Sequence, residues 1–537
     1  MDALIAASLL APLLAAALLW WPRLRALGLR LAPWTPLPAL VLAAAAPATH
    51  ELHLPWLLLD TRLGLDETGR VFLLFTALIW LAAGGFARSW LAGDARRHAF
   101  AGFFLLTQAG NFGVCLALDA ASFYFFFALM SFAAYGLIVH ERSAAAWRAG
   151  KVYLVLALAG EMLILSGLLL AVVGHPLAVA CLILGFGVKT GLPLLHVSLP
   201  LAYAAAPIPA AAVLAGAMIK AGLLGWLRFL PLGGTALPDA GTAMMLAGGL
   251  ALFYGSIVGL TQRQPGALLA YSSISQMGGL AMAVGAGLLA PGLWPLLLPA
   301  VVLYAVHHAL AKTALFLGLG VLQRRGATPG VMLGLALAAL ALAGAPLTSG
   351  MLAKSVLKQA LEALPAPWAD TLPLLLALGA LGTALLMLRL LWLARRQPVP
   401  QDAPSSGLLA PWLLILVGVA GLTAGLAPAS TWQAAWTAQA TLAAIWPLLA
   451  ALALAVVALR LKLHAPAIPP GDLLVPFERT LAALWRQRSR LPRLGSTPAL
   501  PRASTRTPRL ETHLRTWPLA GLLWLLALGC LLGLLLG

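Results

Sequence analysis

The chain has 537 residues, of which 62% are hydrophobic and only 9% charged, with a mean hydropathy of +0.95 and a formal net charge of +18. A soluble domain carries about 25% charged residues, so this composition excludes one and predicts an all-α polytopic membrane protein whose chemistry sits in or on the bilayer. Cys115, Cys181 and Cys530 stand alone in or near apolar runs, which encodes no iron–sulfur cluster, no zinc site and no cofactor of the chain's own.

Apolar runs long enough to cross a ~30 Å hydrocarbon layer as helices predict sixteen spans. In chain order they are 3–21, 35–47, 69–92, 98–118, 120–140, 150–173, 176–198, 205–229, 242–261, 265–289, 294–320, an interrupted 330–363, 371–394, 408–427, 437–463 and 516–536. The first is expected to stay as an anchor, because Asp2 stands where a signal peptide has its basic region and Arg23, Arg25 and Arg30 come after the span. Arg88, Arg96 and Arg97 follow the third span and Arg142, Arg148 and Lys151 the fifth, and the alternation continues through Arg263, Arg324, Arg325, Arg395 and Arg396. Basic loops face the cytoplasm. The pattern therefore predicts a bacterial inner-membrane protein with both termini periplasmic.

Eleven of the 34 basic residues lie between Arg460 and Arg515, in the one long loop. No aromatic-studded soluble module accompanies them, so contact with anionic lipid headgroups is the expectation and nucleic acid is not. Within that loop Leu474, Phe477, Leu481 and Leu484 form an apolar stripe opposite Arg479 and Arg486, the pattern of an interfacial helix. Residues 491–512, rich in Pro, Arg, Ser and Thr, read as a linker. The organisation expected is 1–97 as N-terminal helices, 98–229 and 242–394 as two five-helix units, 408–463 as the last core helices, 464–515 as the basic cytoplasmic loop and 516–537 as a terminal span.

Ionisable groups at mid-membrane are costly and mark ion or proton pathways. At ~1.5 Å per residue, Lys189 lies about 20 Å beyond Pro176 and Lys220 about 20 Å beyond Pro207, both central, whereas Arg228 is close enough to a span end to snorkel. The stretch GFGVKTG around Lys189 is no phosphate loop, since Val188 and not glycine precedes the lysine. In LYAVHHALAKTALF, His308 and Lys312 are four apart on one helical face and Tyr304 extends the row, while His307 points about 100° away. Lys354 follows a break at Pro346, as Lys189 precedes one at Pro193; broken helices at membrane depth line cavities. Glu161, about 16 Å from the start of its span, is the central carboxylate, and pairing with Lys189 would let it stay ionised. His196 and Lys358 are secondary candidates.

At these residues the chain resembles the proton-conducting subunits shared by respiratory complex I, Mrp-type Na+/H+ antiporters and hydrogenase-4-type membrane hydrogenases. The resemblance rests on KTGLPLLHVSLPLAYAAAPIPAAAVLAGAMIKAGLLGWLRF, LLAYSSISQMG, HHALAKTALFLGLG and GAPLTSGMLAK, which run in the family's order from residue 189 to 354. It implies a core of about fourteen helices with two inverted five-helix repeats, each with a broken helix, the seventh and the twelfth, plus about two further C-terminal helices. It also implies roles: Lys189 as the broken-helix lysine, Lys220 and Lys312 as links of a hydrated axis, His308 as a relay and Lys354 as the exit-side group. The family usually has a glutamate on the fifth helix where this chain has Ala128, and an aspartate where it has Leu201. A basic residue often stands where it has Gly266. Ala128 lies about 18 Å deep, close to the depth of Glu161 on the next helix, which suggests that the carboxylate has moved helices.

The expected function is movement of H+, alone or in exchange for Na+, along a buried Lys/His/Glu axis within a multi-subunit membrane complex whose other subunits are its partners. Two alternatives belong to other classes. One is a non-conducting structural subunit. The other is a haem-b oxidoreductase with His196, His307 or His308 as axial ligands, a scheme in which Lys312 has no role.

Overall fold

The computed structural model describes residues 1–45, 50–397, 406–427, 432–433, 437–463, 466, 468–476, 478 and 480. Within them thirteen helices are long and apolar enough to cross a membrane, and two further spans are each built of two shorter helices. The expected span 516–536, the linker 491–512 and most of the interfacial helix lie outside the described residues.

Helix α1 (Asp2–Trp20) is followed by a second span that starts earlier than the sequence suggests. It comprises α2 (Arg25–Leu31), a 3₁₀ turn at Ala32–Trp34 and α3 (Leu37–Ala45). Pro33, Pro36 and Pro38 interrupt its hydrogen bonding, so only the second half reads as an apolar run. Next comes a hairpin that the sequence does not announce, β1 (Glu51–Leu54) paired antiparallel with β2 (Thr61–Gly64), Glu51 opposite Gly64. Strands of four residues are too short to show a period against this background. Asp66 then caps α4 (Glu67–Trp90) by accepting from Gly69 N–H.

Two runs of five spans follow. The first holds α5 (Arg97–Leu116), α6 (Ala120–Ile138), α7 (Ala144–Val172), the pair α8 (Leu177–Thr190) and α9 (Ser198–Ala205), and the pair α10 (Ile208–Val213) and α11 (Ile219–Phe229). The second holds α12 (Pro238–Leu260), α13 (Pro265–Leu289), α14 (Trp294–Arg325), the pair α15 (Pro329–Ala343) and α16 (Ser349–Glu362), and α17 (Trp368–Arg395). Helices α18 (Leu409–Leu426) and α19 (Ala438–Arg460) close the described bundle.

The fourth span is broken in both runs, and the two breaks have the same construction. Gly191 and Gly344 end α8 and α15 in the left-handed region, at φ 84° and 86°. Three residues on, Leu194 and Leu347 are also left-handed, at φ 70° and 65°. Leu192 N–H donates to Gly187 O and Ala345 N–H to Leu340 O, each at 3.0 Å. The shared sequence is Gly-x-Pro-Leu. Glycine accepts the left-handed turn without a Cβ penalty, and proline, lacking an N–H, cannot continue the helix. The seventh span consequently runs on to Ala205, beyond the 198 expected from hydropathy.

Helix α12 packs closely on α13. A Cβ on Gly248 would lie 2.6 Å from Gly278 O, and one on Gly241 2.7 Å from Gly285 O. Lipid tails are as apolar as leucine, so association in a bilayer leans on such small-residue contacts. This buries the whole apolar window of α13. Polar side chains on α13 therefore face protein on every side.

Candidate functional site

The first break opens on a cavity of about 40 Å³ lined by Phe127, Ser131, Tyr153, Glu161, Lys189 and Tyr203 among others. A water needs roughly 10–15 Å³ of such space, so the cavity has room for water. Lys189 Nζ donates to Ser131 Oγ at 2.9 Å and to Tyr153 OH at 3.3 Å, and it lies 5.3 Å from the centre of the Phe127 ring. Glu161, 1% exposed, faces the same cavity, and its Oε2 has no hydrogen-bond partner among the described residues. The expected pairing is thus modified. Glu161 and Lys189 are close enough to feel each other's charge, but the lysine closes on Ser131 of α6 and Tyr153 of α7 in place of a direct ion pair.

The second group lies at the centre of the chain. Between α10 and α11 the backbone widens into a π turn, Leu214–Met218, a distortion often found at functional positions. It presses on α14: a Cβ on Gly216 would lie 2.1 Å from Thr313 Oγ1. Lys220, just past the turn, is fully buried and donates to Ala215 O at 3.0 Å. Lys312 on α14, also fully buried, donates to Leu269 O of α13 at 2.8 Å. His308 is buried with both ring nitrogens unpartnered among the described residues, and it feels the charges of Lys220 and Lys312. Two buried lysines and a buried imidazole therefore lie near enough to feel one another's charge, with no carboxylate among their hydrogen-bond partners in the described residues.

His307 turns the other way. Its Nδ1 shares a hydrogen bond of 3.0 Å with Ser349 Oγ at the start of α16, which ties α14 to the second break. There Lys354 Nζ donates to Leu342 O at 3.0 Å and to Ala343 O at 2.9 Å, carbonyls that the break leaves without helical partners. Lys354 shares a cavity of about 90 Å³ with Gln276, Tyr304 and Lys358. Tyr304 OH donates to Gln276 Oε1, and Gln276 Nε2 to Thr383 Oγ1 at 2.6 Å.

The remaining candidates are placed differently. Lys358 is half-exposed and lies 3.7 Å from Glu362, one turn on. His196, between α8 and α9, is 3.6 Å from Asp472. Arg228 does reach the end of its helix, where it meets Asp66 at 3.4 Å and donates to Cys115 O at 2.9 Å, which fixes it between α4 and α5. Sequence reasoning missed Ser131, Tyr153 and Gln276, because an uncharged polar residue in a span raises no alarm. It also missed Asp472, which lies outside every span.

Residues 117–385 match the family described as NADH:quinone oxidoreductase/Mrp antiporter, TM. The chain belongs to this family. All the lysines and histidines of the central group fall inside the matched region, as do Glu161, Lys189 and Lys354. Hydrogenase-4 component B of Escherichia coli K12 is 28% identical over 299 residues, covering 50% of this chain and 44% of the relative. NADH-quinone oxidoreductase subunit N of Desulforudis audaxviator is 29% identical over 288 residues, 49% of this chain and 56% of the relative. A putative antiporter subunit mnhA2 of Staphylococcus haemolyticus is 28% identical over 361 residues, 57% and 44% respectively. The chain spans about half the length of these curated relatives. Among solved structures, the Mrp complex from Dietzia sp. DQ12-45-1b superposes with a TM-score of 0.72 at 21% identity, over 92% of this chain and 60% of that one. An archaeal membrane-bound sulfane sulfur reductase gives 0.64 at 21% identity, over 78% and 93%. At that identity the structural likeness concerns the fold. The relatives are components of multi-subunit membrane complexes, and this chain is a multi-pass membrane protein of the same family.

Proposed function

We propose that this chain is the ion-translocating membrane subunit of a complex I-, Mrp- or hydrogenase-like assembly, moving H+ along Glu161, Lys189, Lys220, His308, Lys312 and Lys354. The observation that carries the reading is the central group, where Lys220 and Lys312 are fully buried and His308 has no hydrogen-bond partner at either ring nitrogen among the described residues. Burying two lysines side by side has no packing benefit that alanine or leucine would not provide. His307 bonds Ser349 at the start of α16, the helix that carries Lys354, and Ser131 and Tyr153 hold Lys189 at the other end. The matching breaks support treating 98–229 and 242–394 as inverted repeats, since five spans per run make the second start from the opposite side.

The test is proton uptake into membrane vesicles carrying the complete complex, followed with a pH dye with and without Na+. Uptake that depends on this chain and responds to Na+ would favour exchange of the two ions; uptake indifferent to Na+ would favour H+ alone. If removing the chain leaves ion movement intact, it is a scaffold. We further propose that the arginine-bearing loops face the cytoplasm of a bacterial inner membrane, with anionic lipids against 464–515. A cysteine placed at Gly233 is then expected to react with an impermeant maleimide from outside, and one placed at Arg324 is not; the reverse pattern would invert the orientation.

A further inference from the structure

After α19 the chain returns to the bundle. Gln262 Nε2 donates to Ile468 O at 3.1 Å, and a Cβ on Gly471 would lie 3.0 Å from the Leu201 side chain. This carries Asp472 inward until its side chain is only 8% exposed. Groups from three other elements converge on the carboxylate. Tyr271 OH of α13 donates to Oδ1 at 3.0 Å, Tyr254 OH of α12 donates to Oδ2, and His196 Nε2, from the segment between α8 and α9, lies 3.6 Å from Oδ1. His196 is 1% exposed, and neither of its ring nitrogens has a hydrogen-bond partner among the described residues. A buried carboxylate must be hydrogen-bonded or neutralised. Here two hydroxyls do the first, and an imidazole with a vacant nitrogen stands ready for the second.

Further polar side chains stand along α13 beyond this cluster. Tyr271 is followed on the helix by Ser272, whose buried hydroxyl has no partner among the described residues, and by Ser275, which shares a 3.1 Å hydrogen bond with Ser256. Gln276, about 7.5 Å further along the helix than Tyr271, accepts from Tyr304 beside the Lys354 cavity. In the other direction, Leu269, two residues before Tyr271, supplies the carbonyl that Lys312 bonds. One helix thus carries the hydroxyl that bonds Asp472, the carbonyl that bonds Lys312 and the amide that bonds Tyr304 beside Lys354.

We propose that Asp472 is the proton-collecting carboxylate of this subunit, an inference that rests on the proton-conducting reading above. The carboxylate binds one proton from the aqueous phase, with His196 as its exchange partner, releases it along the hydroxyl-bearing side of α13 toward the Lys354 cavity, and returns to the anion. No other species is consumed. The segment after the last core helix is then part of the pathway and not merely a basic tether.

The test is Asp472→Asn, which keeps the shape and one acceptor oxygen for the tyrosines but cannot carry the proton. Proton uptake by vesicles holding the complete complex is expected to fall about tenfold or more, with normal assembly on a native gel. Asp472→Glu should retain uptake, and millimolar formate should restore part of it to the Asn variant, because a small acid can bring the proton that the side chain no longer holds. If Asp472→Asn does not assemble, His196→Gln is the second variant, with the same loss and the same formate rescue expected. Uptake near the wild-type rate in Asp472→Asn, while Lys312→Ala is inactive, overturns the proposal and leaves the conducting reading standing. A loss that formate does not relieve in either variant also overturns it, since Asp472 would then only fasten the segment to the core. Wild-type uptake in Lys312→Ala would instead fault the conducting reading itself.

Discussion

Glu161→Gln is expected to lower proton translocation about tenfold or more while the complex still assembles. The substitution preserves volume and hydrogen-bonding atoms, so packing around this 1% exposed side chain should hold. What disappears is the carboxyl group. Lys189 keeps Ser131 and Tyr153 as acceptors but loses the counter-charge across the cavity, and a buried charge whose partner is removed becomes strongly unfavourable. Proton transfer through the cavity then lacks a group able to release and recover a proton in turn. Ala128→Glu in the same background is expected to restore part of the activity. Ala128 lies four residues after Tyr124 and three before Ser131, on the stripe of α6 that carries the Lys189 acceptor. Uptake measured with a pH dye, with assembly on a native gel as the control, decides it. Wild-type uptake in Glu161→Gln would remove that carboxylate from the path.

How far these features could be read from the sequence follows from what each costs in a bilayer. A lysine in an apolar run is conspicuous because its burial is expensive, and Lys189, Lys220, Lys312 and Lys354 stand out for that reason. Both helix breaks were visible in part, through Pro193 and Pro346, although the repeated Gly-x-Pro-Leu that specifies the turn went unused. Depth along a helix placed Glu161 and Lys189 at one level. It could not show that α6 and α7 supply Ser131 and Tyr153 to the lysine, because that depends on helix packing and not on rise per residue. The start of the second span was hidden by its prolines, and the hairpin by its shortness. Gln276 and Ser272 carry no charge, and their importance appears only once α13 is found buried on all sides. Asp472 falls within the stretch that the sequence marks as a basic cytoplasmic loop; its burial depends on contacts with residues some 200 positions earlier, Tyr254 and Tyr271.

The central claim is that Lys220 and Lys312 conduct in series. Each is fully buried, each is held by a single backbone carbonyl, of Ala215 and Leu269 respectively, and His308 feels both charges. Links in series are each indispensable, and once one is cut the loss of another adds nothing. Removing either ammonium should also not unfold the core, because replacing a buried charge by an apolar side chain relieves a desolvation cost. The direct measurement is proton uptake in vesicles containing the assembled complex for Lys220→Ala, Lys312→Ala and the double variant, with assembly checked on a native gel. The account predicts no detectable uptake in either single variant, none in the double, and normal assembly in all three; normal uptake in both single variants would contradict it and leave the chain a structural subunit.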